Sequence, residues 1–269
     1  MERMASPDRF TMIAIAVMAY AGANVSHEII GHCGTAALLN SKCALLSTTY
    51  IPLAAEIPSW KFRIIAVAGS TANWAVALAC LGLLRARPKA SPALRYFLWL
   101  SLCVNLFIPS TYLMVSPVIM FGDWHNIIFD LPGQLGWRMA LAAAGVAACW
   151  LSFRLCRAEL GKLVGFGGRS AQSAAWPLVV PAYVAGGLVT VAAALLSPLP
   201  AKWAQLQAAG GTFGLTFWLL LLPLSVPEPP ARAQHPFIAR RSIGWIVAGA
   251  LAALAFVGVL GPGVSLEVH

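Results

Sequence analysis

The chain has 269 residues, of which 59% are hydrophobic and only 10% charged. A soluble domain carries about 25% charged residues, so this composition excludes a water-soluble globular protein and makes lipid the solvent for much of the surface. The formal charge of +9 does not point to nucleic acid, because Lys and Arg of a membrane protein gather in the loops that stay in the cytoplasm.

Crossing a bilayer takes about 20 mostly apolar residues. Runs of that kind lie near 10–38, 62–84, 93–121, 134–153, 176–198, 204–226 and 242–262. The expected fold is an all-α polytopic protein of the cell membrane with six to seven transmembrane helices, residues 1–269 forming one transmembrane domain. The first run carries the chemistry described below, so it is not read as a cleaved signal peptide. Between the first two runs, β-branched and small polar residues over 43–52 predict a strand or short hairpin at the membrane edge. The third run contains Pro109 and Pro117 and is expected to break into half-helices or to end in a re-entrant stretch.

Basic residues set the topology. With the N-terminus inside and seven spans, the Lys and Arg of the N-terminus and of the loops near 85–95, 154–169 and 232–241 fall on the inner side. Lys42, Lys61, Arg63, Arg138 and Lys202 fall outside. The six cysteines form no C-x-x-C pair and mostly lie in apolar runs, where Cys acts as a small hydrophobe. Cys33 and Cys43 flank the motif region, and a disulfide or a metal contact there is the lesser alternative.

The motif is His27-Glu28-Ile29-Ile30-Gly31-His32. It differs from the zincin helix H-E-x-x-H by one residue, which places the histidines at i and i+5. On a regular α-helix such positions point about 140° apart and cannot meet at one ion. A π-type turn, with i→i+5 bonding, would realign them, and Gly31 suits such a distortion. Neutral imidazoles bind zinc, while a carboxylate off the metal can take a proton from activated water. Glu28 is the natural base and later proton donor to the leaving amine. The competing reading is a buried hydrogen-bond cluster of His27, Glu28 and His32 without metal.

A catalytic zinc needs a third protein ligand and an open position. Topology puts the end of the third run beside the end of the first, and Asp123 of Phe121-Gly122-Asp123-Trp124-His125-Asn126 is the first choice. His125 and Asp130 are alternatives, or partners that orient a ligand. A helix N-cap is the other role open to Asp123. In the second run, Gly69-Ser70-Thr71-Ala72 allows close helix packing, and Asn73 sets an amide in the bilayer. That amide is expected either to hydrogen-bond a substrate carbonyl or its oxyanion, or to bridge two helices.

Soluble dipeptidyl peptidase III enzymes use a His-Glu-x-x-Gly-His zinc helix, and residues 27–32 resemble it letter for letter. Over residues 10–130 the order of features resembles the site-2 protease family of intramembrane zinc metalloproteases. That family has a His-Glu-x-x-His helix, a strand-rich edge, a Gly-Pro-x-Ala-Asn stretch and a later Asp-Gly segment. Here His27, Glu28 and His32 stand for the first element with one residue inserted. Gly69, Ala72 and Asn73 match the third with Ser70 in place of proline. Asp123 stands for the last, with Gly before it and Trp after it. The helices of 131–269 have no counterpart.

The resemblance implies Zn2+ held by His27, His32 and Asp123, with Glu28 and Asn73 catalytic. The implied substrate is a transmembrane or membrane-proximal peptide, admitted by a gate at the broken third run and paired along the 43–52 edge. A zinc hydrolase or transferase acting on a lipid or small molecule is the alternative, followed by a non-proteolytic relative that binds membrane partners.

Overall fold

Asp8 opens the bundle. Its Oδ2 accepts from the backbone N–H of Thr11 at 2.9 Å and from the Thr11 hydroxyl at 2.8 Å, which caps the first turn. Helix α1 then runs over Arg9–Leu38. It is α-helical to Val25, π-helical over Ser26–Cys33 and α-helical again over Gly34–Leu38. The computed structural model describes residues 7–164, 168–200, 202, 209–226 and 239–266. Helices α2 (Ser59–Ala86), α3 (Pro92–Ile119), the short α4 (Asp123–Asn126), α5 (Gln134–Val164) and α6 (Gly168–Leu195) follow. After them come α7 (Trp218–Leu221) and α8 (Ile243–Leu260), whose last turn is π-helical. Strands β1 (Leu45–Leu46) and β2 (Val264–Ser265) pair antiparallel, Leu45 opposite Ser265 and Leu46 opposite Val264.

Helix α3 is the centre of the bundle, packed by α1, α2 and α5. Of its most apolar stretch 67% is buried, against 11% for α8. Apolar side chains such as Met139 and Leu151 on α5 and Leu251 and Leu254 on α8 instead face outward. In water that surface would be unfavourable; in lipid it is the normal exterior. The buried aromatic residues keep their polar atoms satisfied. Tyr96 Oη donates to the Leu178 carbonyl at 2.7 Å, and Trp99 Nε1 to the Cys156 carbonyl at 3.2 Å.

Among the described residues six helices are long and apolar enough to cross a bilayer: α1, α2, α3, α5, α6 and α8. The run predicted at 204–226 is described from residue 209 on, and Gly210–Ser225 is a shorter apolar helix. The described residues on either side of it lie at opposite ends of the bundle. Ser197, just past α6, shares a 2.7 Å hydrogen bond with Thr49, near β1. Ala239, before α8, accepts from the backbone of Asp8 at 2.9 Å, at the opposite end of α1. Between these residues the chain returns from one end of the bundle to the other. Midway, Thr216 accepts from Tyr20 Oη at 3.2 Å.

Two expectations need correction. Helix α3 is continuous through Pro109 and Pro117. A proline removes one backbone donor, but neighbouring helices can hold a transmembrane helix together across that gap, and α3 is packed by three of them. It ends only at Met120, whose left-handed φ of 57° turns the chain toward α4. The 43–52 segment forms a strand as expected, but it is less open than a substrate-pairing edge requires. Its β1 part is covered by β2, and Cys43 bridges back to Leu53.

Candidate metal centre

The whole segment Ser26–Cys33 is π-helical, so residues five apart fall into register. The rings of His27 and His32 sit edge to face, with centroids 4.8 Å apart and planes at 87°. Gly31 contributes through packing rather than through conformational freedom. A Cβ there would lie 2.5 Å from the Cα of Gly69 and 2.8 Å from the Ala68 carbonyl. The two glycines let α1 and α2 touch backbone to backbone at the level of the histidines.

Each ring is held from behind. His32 Nδ1 lies 2.7 Å from the carbonyl of Ile65, which can only accept, so Nδ1 carries the proton. His27 Nδ1 lies 2.9 Å from Asn73 Oδ1. The amide orientation there is fixed by a chain of bonds. Asn105 donates to the Ser101 carbonyl at 2.9 Å, and its Oδ1 accepts from Asn73 Nδ2 at 2.8 Å. Asn73 Nδ2 also donates to the Ala23 carbonyl at 2.8 Å. Asn73 Oδ1 is thus an acceptor, and His27 must donate to it. Both rings then point an unprotonated Nε2 forward, the form in which imidazole binds a metal.

Asp123 closes the site. Its Oδ2 lies 3.2 Å from His27 Nε2 and 3.3 Å from His32 Nε2. Gly122, with φ of +86°, turns the chain inward; a side chain there would collide with the Tyr112 hydroxyl, which accepts from the Asp123 backbone N–H at 2.9 Å. Asp123 is the first residue of α4 rather than its N-cap. Burial acts to raise its carboxyl. When the histidines take up added protons and no metal is bound, the charge of His32 and the hydrogen bonds of both rings outweigh that and hold it well below the ordinary carboxylate range.

These are three acceptors facing one another, an arrangement that only a cation or added protons can neutralise. The three donor atoms lie within 4.8 Å of one another. Ligand atoms on a tetrahedral zinc with bonds of about 2.0–2.1 Å stand about 3.3–3.4 Å apart, which the two His–Asp separations match. The room is provided by Gly69. A Cβ at that position would lie 2.6 Å from His32 Nε2 and 2.7 Å from His27 Nε2, in the space between the rings. The donor set is of the kind that takes a divalent metal such as zinc; the widest donor separation, up to 4.8 Å, exceeds the about 4.2 Å that two such bonds can span, so one ring must close in for all three to share an ion.

Glu28 is half-buried, interacts electrostatically with His32, His27 and Asp123, and makes no side-chain hydrogen bond among the described residues. Asn73, expected to face either a substrate or another helix, does the latter. It is fully buried, and its donors and acceptor are engaged by Ala23, Asn105 and His27. His125 and Asp130 stand outside the three-residue group. Asp130 pairs with Arg63 at 2.5 Å, and His125 donates its backbone N–H to Ser116 Oγ. Cys33 and Cys43 are joined in a disulfide, so the lesser alternative holds for this pair; Cys80, Cys103, Cys149 and Cys156 are free and buried.

Three contributors escaped sequence reasoning: Asn105, the Ile65 carbonyl and the cradle at Gly69. A second amide in the middle of an apolar run was the one available signal, since polar groups in spans are rarely idle. In comparison with known proteins, the chain matches no family model, no curated protein sequence and no solved structure.

Proposed function

We propose that the chain is an intramembrane zinc metallopeptidase, akin in its site to the site-2 proteases. The observation that carries this reading is the π-helical turn that aims His27 Nε2 and His32 Nε2 at Asp123 across the Gly69 cradle. Zinc bound there would supply Lewis acidity that polarises a peptide carbonyl and acidifies water. Glu28, unengaged by hydrogen bonds among the described residues and next to His27 in the chain, takes the proton from the attacking water on its carboxylate and passes it to the leaving amine nitrogen. Water oxygen bonds to the carbonyl carbon, the C–N bond breaks, and the proton count closes. Asn73 acts as a positioning residue that fixes the tautomer and angle of His27. Helical amides are protected by their own hydrogen bonds, so the substrate segment must be extended at the site.

The test is Glu28→Gln, which keeps the shape and removes the base. Purified wild type should cleave members of a panel of membrane-spanning peptides reconstituted with it in detergent, read by mass spectrometry. The variant should bind zinc equally and cleave none. Equal cleavage by both proteins would refute the peptidase reading, and so would a change confined to lipid products.

A further inference from the structure

The two ends of the bundle differ in chemistry, and the candidate site belongs to one of them. We infer that the site opens on the non-cytosolic, oxidising side of the membrane and that its substrate is the exported part of a polypeptide. The side follows from the fold alone; the substrate rests on the peptidase reading.

The site is near the end of the bundle where α1 finishes. His32 is six residues from Leu38, or about 9 Å along the helix axis, whereas His27 is about 27 Å from Arg9. Asp123 follows directly on the end of α3. That same end holds the 43–53 segment, β1 with β2, and the disulfide.

Charge marks the other end as cytosolic. Arg85, Arg87 and Lys89 at the end of α2, Arg95 at the start of α3 and Lys162 at the end of α5 gather there. Arg85 and Lys162 share the buried Glu159, at 3.5 and 2.8 Å, which joins these segments at one level. At the site end the cations are fewer; Lys42 and Lys202 are exposed, and the other three are tied to the fold. Lys61 donates to the Leu39 carbonyl, Arg63 pairs with Asp130, and Arg138 donates to the carbonyls of Pro117 and Val118. Excess Lys and Arg stay in the cytosol during insertion.

The disulfide is an independent marker. Cys33 is the last π-helical residue, next to His32, and is bonded to Cys43. Structural disulfides persist in oxidising compartments and are rare in the reducing cytosol. Charge and redox chemistry thus assign the two ends in the same sense.

The native thiols give a clean background for testing this, since the free ones are buried and the other two are bonded to each other. Glu56 and Lys89 are both exposed, at the site end and at the far end. In cells treated with a membrane-impermeant maleimide, Glu56→Cys should label at once and Lys89→Cys only after permeabilisation. Labelling of Lys89→Cys in intact cells, with Glu56→Cys silent, would overturn the assignment. A second arm uses two single-span reporter proteins carrying one extended segment on either side of the membrane. Cleavage of the exported segment alone is expected, and cleavage of the cytosolic one overturns the inference. Cleavage of neither refutes the peptidase reading, while the labelling result still decides the side.

Discussion

The substitution Gly69→Ala probes the cradle with the smallest possible change. The added Cβ would lie 2.6 Å from His32 Nε2, 2.7 Å from His27 Nε2 and 2.7 Å from His32 Cε1. Ordinary non-bonded contact begins at about 3.5 Å, so each ring must retreat by about 0.8 Å. Metal–ligand distances tolerate deviations of only about 0.2 Å. Removing a group that merely orients a ligand already costs about 10–100-fold in metal affinity. Displacing two ligands should cost more, about 100–1,000-fold, or about 2.7–4 kcal/mol at 1.36 kcal/mol per factor of ten. The assay is zinc titration of purified protein against a chromophoric chelator, with Gly22→Ala as control. Gly22 is on the same helix as the histidines, yet a Cβ there would meet nothing within 4 Å. Thermal unfolding of the zinc-free proteins separates loss of metal from loss of fold. Wild-type zinc affinity in Gly69→Ala would show that the space between the rings is not where a metal sits.

Replacing Asn73 by Ala should lower zinc affinity by about 10–100-fold without abolishing binding, because His27 loses its anchor but keeps its Nε2; the same titration reads it. Asn105→Ala should act in the same direction and more weakly, since it touches His27 only through Asn73. Zinc occupancy should fall as pH is lowered, because protons compete for the imidazole nitrogens. Asp123, held below the ordinary carboxylate range, stays ionised through mild acid, so Asp123→Asn should weaken binding by a similar factor from neutral to mildly acidic pH. Cys33→Ser should cost about 2.7 kcal/mol of stability, the loop-closure value for a bridge spanning 10 residues, and a lowered melting temperature equal to that of the reduced wild type checks it.

How far the sequence carries can be traced at particular residues. The histidine spacing was informative because helical geometry is rigid: five residues cannot stack on an α-helix, so the sequence itself demanded a π turn or no site. Asp123 was legible through topology, since only a chain returning to the same end could bring it to His32. The continuity of α3 was not legible. Pro109 and Pro117 break an isolated helix, and what keeps this one whole is burial against three neighbours, which lies in tertiary packing. Gly69 was readable as a packing residue but not as the floor of a site, because that role depends on where two side chains from another helix point. On sequence alone the disulfide is the lesser possibility for a similar reason. Cys33 and Cys43 are brought together by the turn after Leu38, and nothing in their spacing specifies that turn.

The central claim is that His27, His32 and Asp123 jointly hold one zinc ion, and metal analysis of purified protein tests it most directly. Wild type should carry about one zinc per chain, and His32→Ala and Asp123→Ala, folded by the same thermal criterion, should each lose it. Full zinc occupancy in both variants, or none in wild type supplied with zinc, would contradict the account.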